Sequence, residues 1–332
     1  MPSLDFPLEK LQSYKGSSPM PKDFDAYWEK ALKELDSVGV EYTLKPAEFS
    51  APGVQCKYLY FTGVGGAKVC CKFLCPESAL TGNGAPVNGR SSAKLPAIAM
   101  FHGYSMNSGD WLDKLPYAYA GYVVLALDVR GQMGRSDDNL VVPGNTLRGH
   151  IIRGLFGGDP DKLFFRNVFL DAAQTARILM SMDFVDENRV GATGWSQGGA
   201  LTLACAALEP RVKMNAPVYP FLSDYKRTWE MDLFKDAYDE LSYYIRNLDP
   251  RHQRIDEMFE ILGYIDVANL AHKIKGETYM FITLQDSVCP PSTQFAAYNR
   301  ITAKKSCEIY PNHGHEGLPG AGELIYNYFK SL

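Results

Sequence analysis

The chain has 332 residues, of which 46% are hydrophobic and 22% charged, the balance of a globular protein with a large core rather than of a disordered one. A formal net charge of -4 gives no basic field for a phosphate backbone, so nucleic acid is excluded as an expected partner. No stretch approaches the roughly 20 consecutive apolar residues of a membrane-spanning helix, and the segment from Met1 to Phe6 lacks a secretion signal's apolar run, so a soluble, cytoplasmic protein without membrane contact is expected.

In chain order, residues 23–35 place Phe24, Tyr27, Trp28, Ala31, Leu32 and Leu35 on one helical face, which predicts a helix docked onto the main body. Residues 55–61 and 68–74 read as strands joined by the glycine-rich turn at 63–66, an antiparallel hairpin. Cys70, Cys71 and Cys75 fall in the second of these strands, where neighbours point to opposite faces, and the odd total of seven cysteines favours free thiols in a reducing compartment over a disulfide framework. A polar loop, 81–94, follows.

From there short apolar strands (97–101, 122–127, 190–193, 214–218 and 278–284) alternate with helices, which predicts an α/β protein with a mainly parallel sheet covered on both faces. The stretch 221–272 is too long for a simple crossover and is expected to be a helical, cap-like insertion before the strand that leads to the acid residue. With no repeat or linker, 1–332 reads as one domain, with 1–50 as an N-terminal extension.

The strongest chemical signal is Gly194-Trp195-Ser196-Gln197-Gly198, between the strand at 189–193 and the apolar helix at 200–208. Gly-x-Ser-x-Gly in a strand, turn, helix context places the serine on a sharp turn where the flanking positions have no room for side chains. The helix that starts at Ser196 directs its first amides at the place where an oxyanion would form. A serine hydroxyl is a weak nucleophile by itself, so a histidine base and a carboxylate that orients it are expected downstream.

Four histidines follow Ser196, namely His252, His272, His313 and His315. The first two fall in the insertion or at its charged edge. The pair at 313 and 315 lies between a short strand, 306–309, and a final helix near 323–329, where such a fold places its base; residue chemistry alone leaves the two unresolved. A metal site built on His313, His315 and Glu316 is the competing reading, but no spaced Cys, His or Asp set completes the coordination shell, so no metal or organic cofactor is expected. Asp286 follows a strand of buried character and is the candidate acid, with Asp266 as its rival.

Arg130-Gly131-Gln132, Gly194 to Gly199 and His315-Glu316, in this order and spacing, resemble the acetyl xylan esterase and cephalosporin C deacetylase family, carbohydrate esterase family seven, of the α/β-hydrolase superfamily. Supporting similarity runs through 22–28, Gly149-His150, 166–171 and 290–299, so it covers nearly the whole chain. The resemblance implies an α/β-hydrolase fold, a triad of Ser196, Asp286 and His315, and an oxyanion hole formed by the amides of Tyr104 and Gln197. It also implies that Arg130, Gly131 and Gln132, with Gly194, Gly198 and Glu316, shape the site from behind. It selects His315 over His313, and it implies a small acetyl ester such as an acetylated xylo-oligosaccharide or cephalosporin C as substrate, in a homo-oligomer, a doughnut-like hexamer. Two departures stand out: Ser105 to Asp110 lacks the glycine-rich stretch of several relatives, and the loop 81–94 is longer than usual. A peptidase or longer-chain lipase on the same fold, or a non-catalytic binding protein that kept it, are the alternatives.

Overall fold

The computed structural model describes residues 4–80, 94–144 and 148–332, so the long loop expected at 81–94 lies, apart from Lys94, outside the described residues. Nine strands among the described residues form one sheet: β1 (Tyr42–Pro46), β2 (Val54–Thr62), β3 (Lys68–Pro76), β4 (Leu95–Phe101), β5 (Val123–Asp128), β6 (Val185–Trp195), β7 (Met214–Val218), β8 (Glu277–Thr283) and β9 (Lys305–Tyr310). Their order is β1-β2-β3-β5-β4-β6-β7-β8-β9. The first three strands and the β3/β5 pairing are antiparallel, and every pairing from β5 through β4 to β9 is parallel. This is the α/β-hydrolase arrangement.

Alternation decides which face each side chain takes. In β3, Cys70 and Leu74 join the core on one face of the sheet, while Cys71, Phe73 and Cys75 join the core on the other. All six residues of β5 are buried, as expected of a strand covered by helices on both sides.

The helices are α1 (Leu8–Leu11), α2 (Phe24–Val38), α3 (Leu115–Tyr119), α4 (Phe164–Ser181), α5 (Gln197–Leu208), α6 (Tyr225–Glu230), α7 (Asp239–Leu248), α8 (Ile255–Leu262), α9 (Val267–Leu270), α10 (Pro291–Arg300) and α11 (Ala321–Phe329). α2 buries Phe24, Tyr27, Trp28, Ala31 and Leu35, the face its spacing predicts. Trp28 also donates its indole N–H to the carbonyl of Tyr264 at 3.1 Å, so this N-terminal helix is tied to the insertion. α5 is apolar all round and entirely buried, which suits a helix enclosed by the sheet and α4. The insertion contributes α6 to α9, and the chain before α2 is fastened to it: Asp224 accepts from the amides of Ser17 and Ser18, and Arg227 pairs with Asp5 at 2.7 Å. The parallel strands carry the loops after β4, β6, β7, β8 and β9 to one edge of the sheet, the edge where open α/β sheets bind ligands.

Candidate active site

At the end of β6 the chain turns so sharply into α5 that Ser196 takes φ 58° and ψ -117°. A non-glycine residue there carries strain of order 1–3 kcal/mol. It is held by its own backbone, since its amide donates to the Val218 carbonyl and its carbonyl accepts from the Phe221 amide, both at 3.0 Å. The close approach also explains the flanking glycines. A Cβ on Gly198 would sit 2.1 Å from the Phe101 carbonyl oxygen, and one on Gly194 would sit 2.5 Å from the same atom.

Asp286, fully buried in the loop after β8, presents two oxygens that each accept two hydrogen bonds. Oδ1 takes the amides of Val288 and Cys289 at 2.8 Å, and Oδ2 takes the Thr283 hydroxyl at 3.3 Å and the Nδ1 side of His315 at 2.9 Å. A proton on Nδ1 facing the carboxylate leaves Nε2 as the bare, basic nitrogen. About a quarter of the His315 side chain, 26%, is exposed, so the ring lies at the boundary between core and solvent.

Two buried side chains connect this pair to the serine. The Cys289 thiol lies beside the Ser196 side chain, and its sulfur lies within 4.8 Å of the facing Asp286 and His315 atoms. Burial pushes this thiol well above the usual range, so it stays protonated. The ring of Tyr219 packs on His315 at 4.7 Å and on Trp195, the neighbour of Ser196, at 5.5 Å, while its hydroxyl donates to the Glu316 carbonyl. Asp286, Cys289 and His315 form the one group among the described residues with metal-ligand spacing. The carboxylate and Nδ1 are already committed to each other, however, so these two read as a hydrogen-bonded pair. His313 and Glu316 are outside that group; the His313 ring packs on Tyr310, and Glu316 accepts from the Gly314 amide.

The amides of Tyr104 and of Gln197, the residue directly after Ser196, are engaged by no acceptor among the described residues. Gln197 begins α5, and its side chain exchanges hydrogen bonds with Gln132 in both directions, at 2.7 and 3.1 Å. The loop before Tyr104 is held by His102, whose Nε2 accepts from the Val129 amide while Nδ1–H donates to the Gly103 carbonyl. Burial pushes this imidazole down and the two contacts fix one neutral tautomer. Arg130 is fully buried and forks onto Asp171 with two bonds of 2.6 Å, its remaining nitrogen reaching the Val64 carbonyl. Gly131 takes φ 65° beneath Asp138. Of the Arg130-Gly131-Gln132 run, Gln132 touches the elbow through Gln197, and Arg130 ties the chain to Asp171 of α4.

The other candidates fall elsewhere. His272 bonds the Asn269 carbonyl beside Asp25, and His252 lies against Trp229. Asp266 caps α9 through the Ala268 amide and makes no contact with His315. Three residues that the sequence reading did not single out as site residues enter the picture: Cys289, Tyr219 and Glu240, the last of which accepts from the Tyr104 hydroxyl. Cys289 stands in the motif around Asp286, three residues on, but nothing in the string distinguishes it from any buried thiol.

The full chain, residues 1–332, matches the acetyl xylan esterase (AXE1) family. Acetyl xylan esterase 1 from Thermoanaerobacterium sp. JW/SL YS485 is 52% identical and superposes with a TM-score of 0.93 over 98% of this chain and 99% of that one. An acetyl xylan esterase from Paenibacillus sp. R4 is 32% identical, with a TM-score of 0.89 over 98% and 99% of the two chains. The acetyl esterase Axe7A of Xylanibacter ruminicola is 26% identical over 93% of this chain, which spans 66% of that relative's length. A family match over the entire chain, on the fold and side-chain arrangement just described, makes this protein a member of the acetyl xylan esterase family of carboxylic ester hydrolases.

Proposed function

We propose that this chain is a serine esterase that removes acetyl groups from acetylated xylo-oligosaccharides and other small acetyl esters, with cephalosporin C among the candidate substrates, through an acetyl-enzyme intermediate. In this reading His315 Nε2 takes the hydroxyl proton as Ser196 Oγ attacks the acetyl carbonyl, and Asp286 keeps the ring in one tautomer and stabilises the imidazolium. The amides of Tyr104 and Gln197 hold the oxyanion; being backbone groups, they are aimed before charge develops. The C–O bond to the alcohol breaks as His315 returns the proton to the leaving oxygen. Water then attacks the acetyl carbonyl by the same route, releasing acetate and restoring Ser196.

The observation that carries this reading is the 2.9 Å contact between His315 and Asp286, with Cys289 beside both that pair and the side chain of the strained Ser196. A polar cavity of about 310 Å³ beside Tyr104, lined by Ser105, Arg148, His150, Asp236 and Asp239, offers hydrogen-bonding groups to a hydroxylated alcohol. The names of the similar proteins support acetate as the acyl group. The test is release of acetate from acetylated xylo-oligosaccharides, cephalosporin C and p-nitrophenyl acetate, beside p-nitrophenyl octanoate and an aminoacyl amide. The expected outcome is turnover of the acetates with octanoate and amide far slower, abolished in Ser196→Ala; preference for octanoate or amide overturns it.

A further inference from the structure

Acyl transfer by a serine needs no insertion, yet α7 carries a carboxylate to the back of the oxyanion loop. Glu240, in the first turn of α7, is 3% exposed. Its Oε1 accepts from the Tyr104 hydroxyl, its Oε2 accepts from the Ile152 amide at 3.0 Å, and the same Tyr104 hydroxyl accepts from the His150 amide at 2.9 Å. Gly149, at φ 150°, lets the chain pass: a Cβ there would lie 2.4 Å from the Glu240 carboxyl group. This accounts for Gly149-His150, which the acyl-transfer chemistry leaves unused.

The Tyr104 ring packs against His150 at 5.3 Å, Phe221 at 5.4 Å and Phe165 at 6.5 Å. Phe221 in turn gives its amide to the Ser196 carbonyl, so one cluster touches both the nucleophile and the oxyanion loop. Anchoring the insertion alone would be served better by an apolar side chain, because a buried carboxylate costs free energy. What a carboxylate adds is direction. It fixes the far end of a side chain whose backbone amide must be aimed within about 0.5 Å of its working position.

We propose that Glu240 is a positioning residue for the oxyanion hole, holding Tyr104 by its hydroxyl so that the Tyr104 amide points at the reacting carbonyl. The inference rests on the serine-esterase reading, and Ser196→Ala tests that reading separately: if Ser196→Ala is inactive while the variants below behave as wild type, only the role of Glu240 falls.

Deleting an oxyanion donor costs about 10² to 10³ in turnover, so misaiming one should cost about 10- to 100-fold. Tyr104→Phe removes only the hydroxyl and Glu240→Gln only the charge. Each is expected to lower kcat on p-nitrophenyl acetate by about 10- to 100-fold with KM changed less than about threefold. The double variant should be no slower than the slower single, because both break one contact. The acid limb gives a second readout. Burial pushes Glu240 up to about 7, and each hydrogen bond it makes comes from a donor, so the ionised form above that pH is the one that fits. The groups facing it are Tyr104, Tyr225 of α6 and His150, with the exposed Arg148 and Asp239 pair outside; burial pushes His150 down to about 4 and keeps it neutral throughout. The wild-type acid limb of kcat should therefore include the deprotonation of Glu240, which the Glu240→Gln limb lacks. Kinetics of both singles and the double, with thermal melts alongside, decide the matter. Near wild-type kcat in Tyr104→Phe, losses that multiply in the double variant, or a lowered melting temperature with kcat intact overturn the proposal and leave Glu240 an anchor only. If Glu240→Gln does not fold, kcat of Tyr104→Phe decides alone.

Discussion

Gln197 and Tyr104, whose amides form the oxyanion hole in the proposed mechanism, are held by different means. Gln197 opens α5, and the turn that carries it is set by backbone contacts: Ser196 to Val218 and Phe221, and Gly198 against the Phe101 carbonyl. Tyr104 lies in the loop after β4, directly before Ser105 at φ 54°, and its far end is fixed by a side chain 136 residues further along the chain. One side of the proposed oxyanion hole belongs to the fold, the other to the insertion this chain carries. The backbone-built side should therefore respond to steric changes and resist side-chain deletions, and the loop side should do the reverse.

His315→Ala sets the scale, since it removes the base that both sides serve: kcat should drop about 10⁴-fold or more with the melting temperature little changed. Residual activity within tenfold of wild type breaks the whole comparison. Next comes Gly198→Ala. Its Cβ meets backbone at 2.1 Å, which cannot rotate away, so a loss of about 3 kcal/mol or more in stability and near-complete inactivity are expected by denaturant melts and acetate release. A stable, active Gly198→Ala would show that the elbow is not built as described. Gln132→Ala probes a side-chain lock on the elbow side, its exchange with Gln197, whose side chain also donates to the His102 and Gly103 carbonyls. About a tenfold fall in kcat is expected, less than for Tyr104→Phe; the opposite ranking reverses the contrast.

The smallest expected effect concerns a buried carboxylate unlike Glu240. Asp266 caps α9 through Oδ1, but its Oδ2 has no hydrogen-bond partner among the described residues, and burial raises its pKa from 3.8 to about 6. The folded state prefers its protonated form, so its contribution to stability is fully present below about 4, is lost as pH rises to about 6, and is constant above. Asp266→Asn should raise stability by on the order of 2 kcal/mol at pH 8 and leave it unchanged at pH 4, read by calorimetry. The same gain at both pH values would mean that charge burial is not its cause.

The legibility of these regions in the sequence follows the same division. The elbow is local, so Gly194 to Gly198 between a strand and an apolar helix expose it, and α2 is legible because its apolar face repeats with helical period. β1 was not expected: Tyr42–Pro46 is a short edge strand with no buried residue and a proline at its end, so the alternation of Tyr42 and Leu44 with Thr43 and Lys45 is too brief to stand out. Asp286 and His315 stand out by chain order and family pattern, and the two meet at 2.9 Å. Glu240 had no such marker. In an insertion dense with Asp, Glu, Lys and Arg a buried carboxylate looks like any solvated one, and only the meeting of α7 with the segment 148–152 separates it from its neighbours. Tyr219 was hidden for the same reason, since its packing on both Trp195 and His315 depends on the β7 loop reaching the β9 loop.

The most direct test of the serine mechanism is rapid acid quench of the enzyme during turnover of p-nitrophenyl acetate, followed by peptide mass spectrometry. One acetyl group on the peptide containing Ser196, formed and lost at rates consistent with kcat and absent from Ser196→Ala, is the predicted result. Steady acetate release with Ser196 unmodified, or turnover that survives in Ser196→Ala, would contradict it.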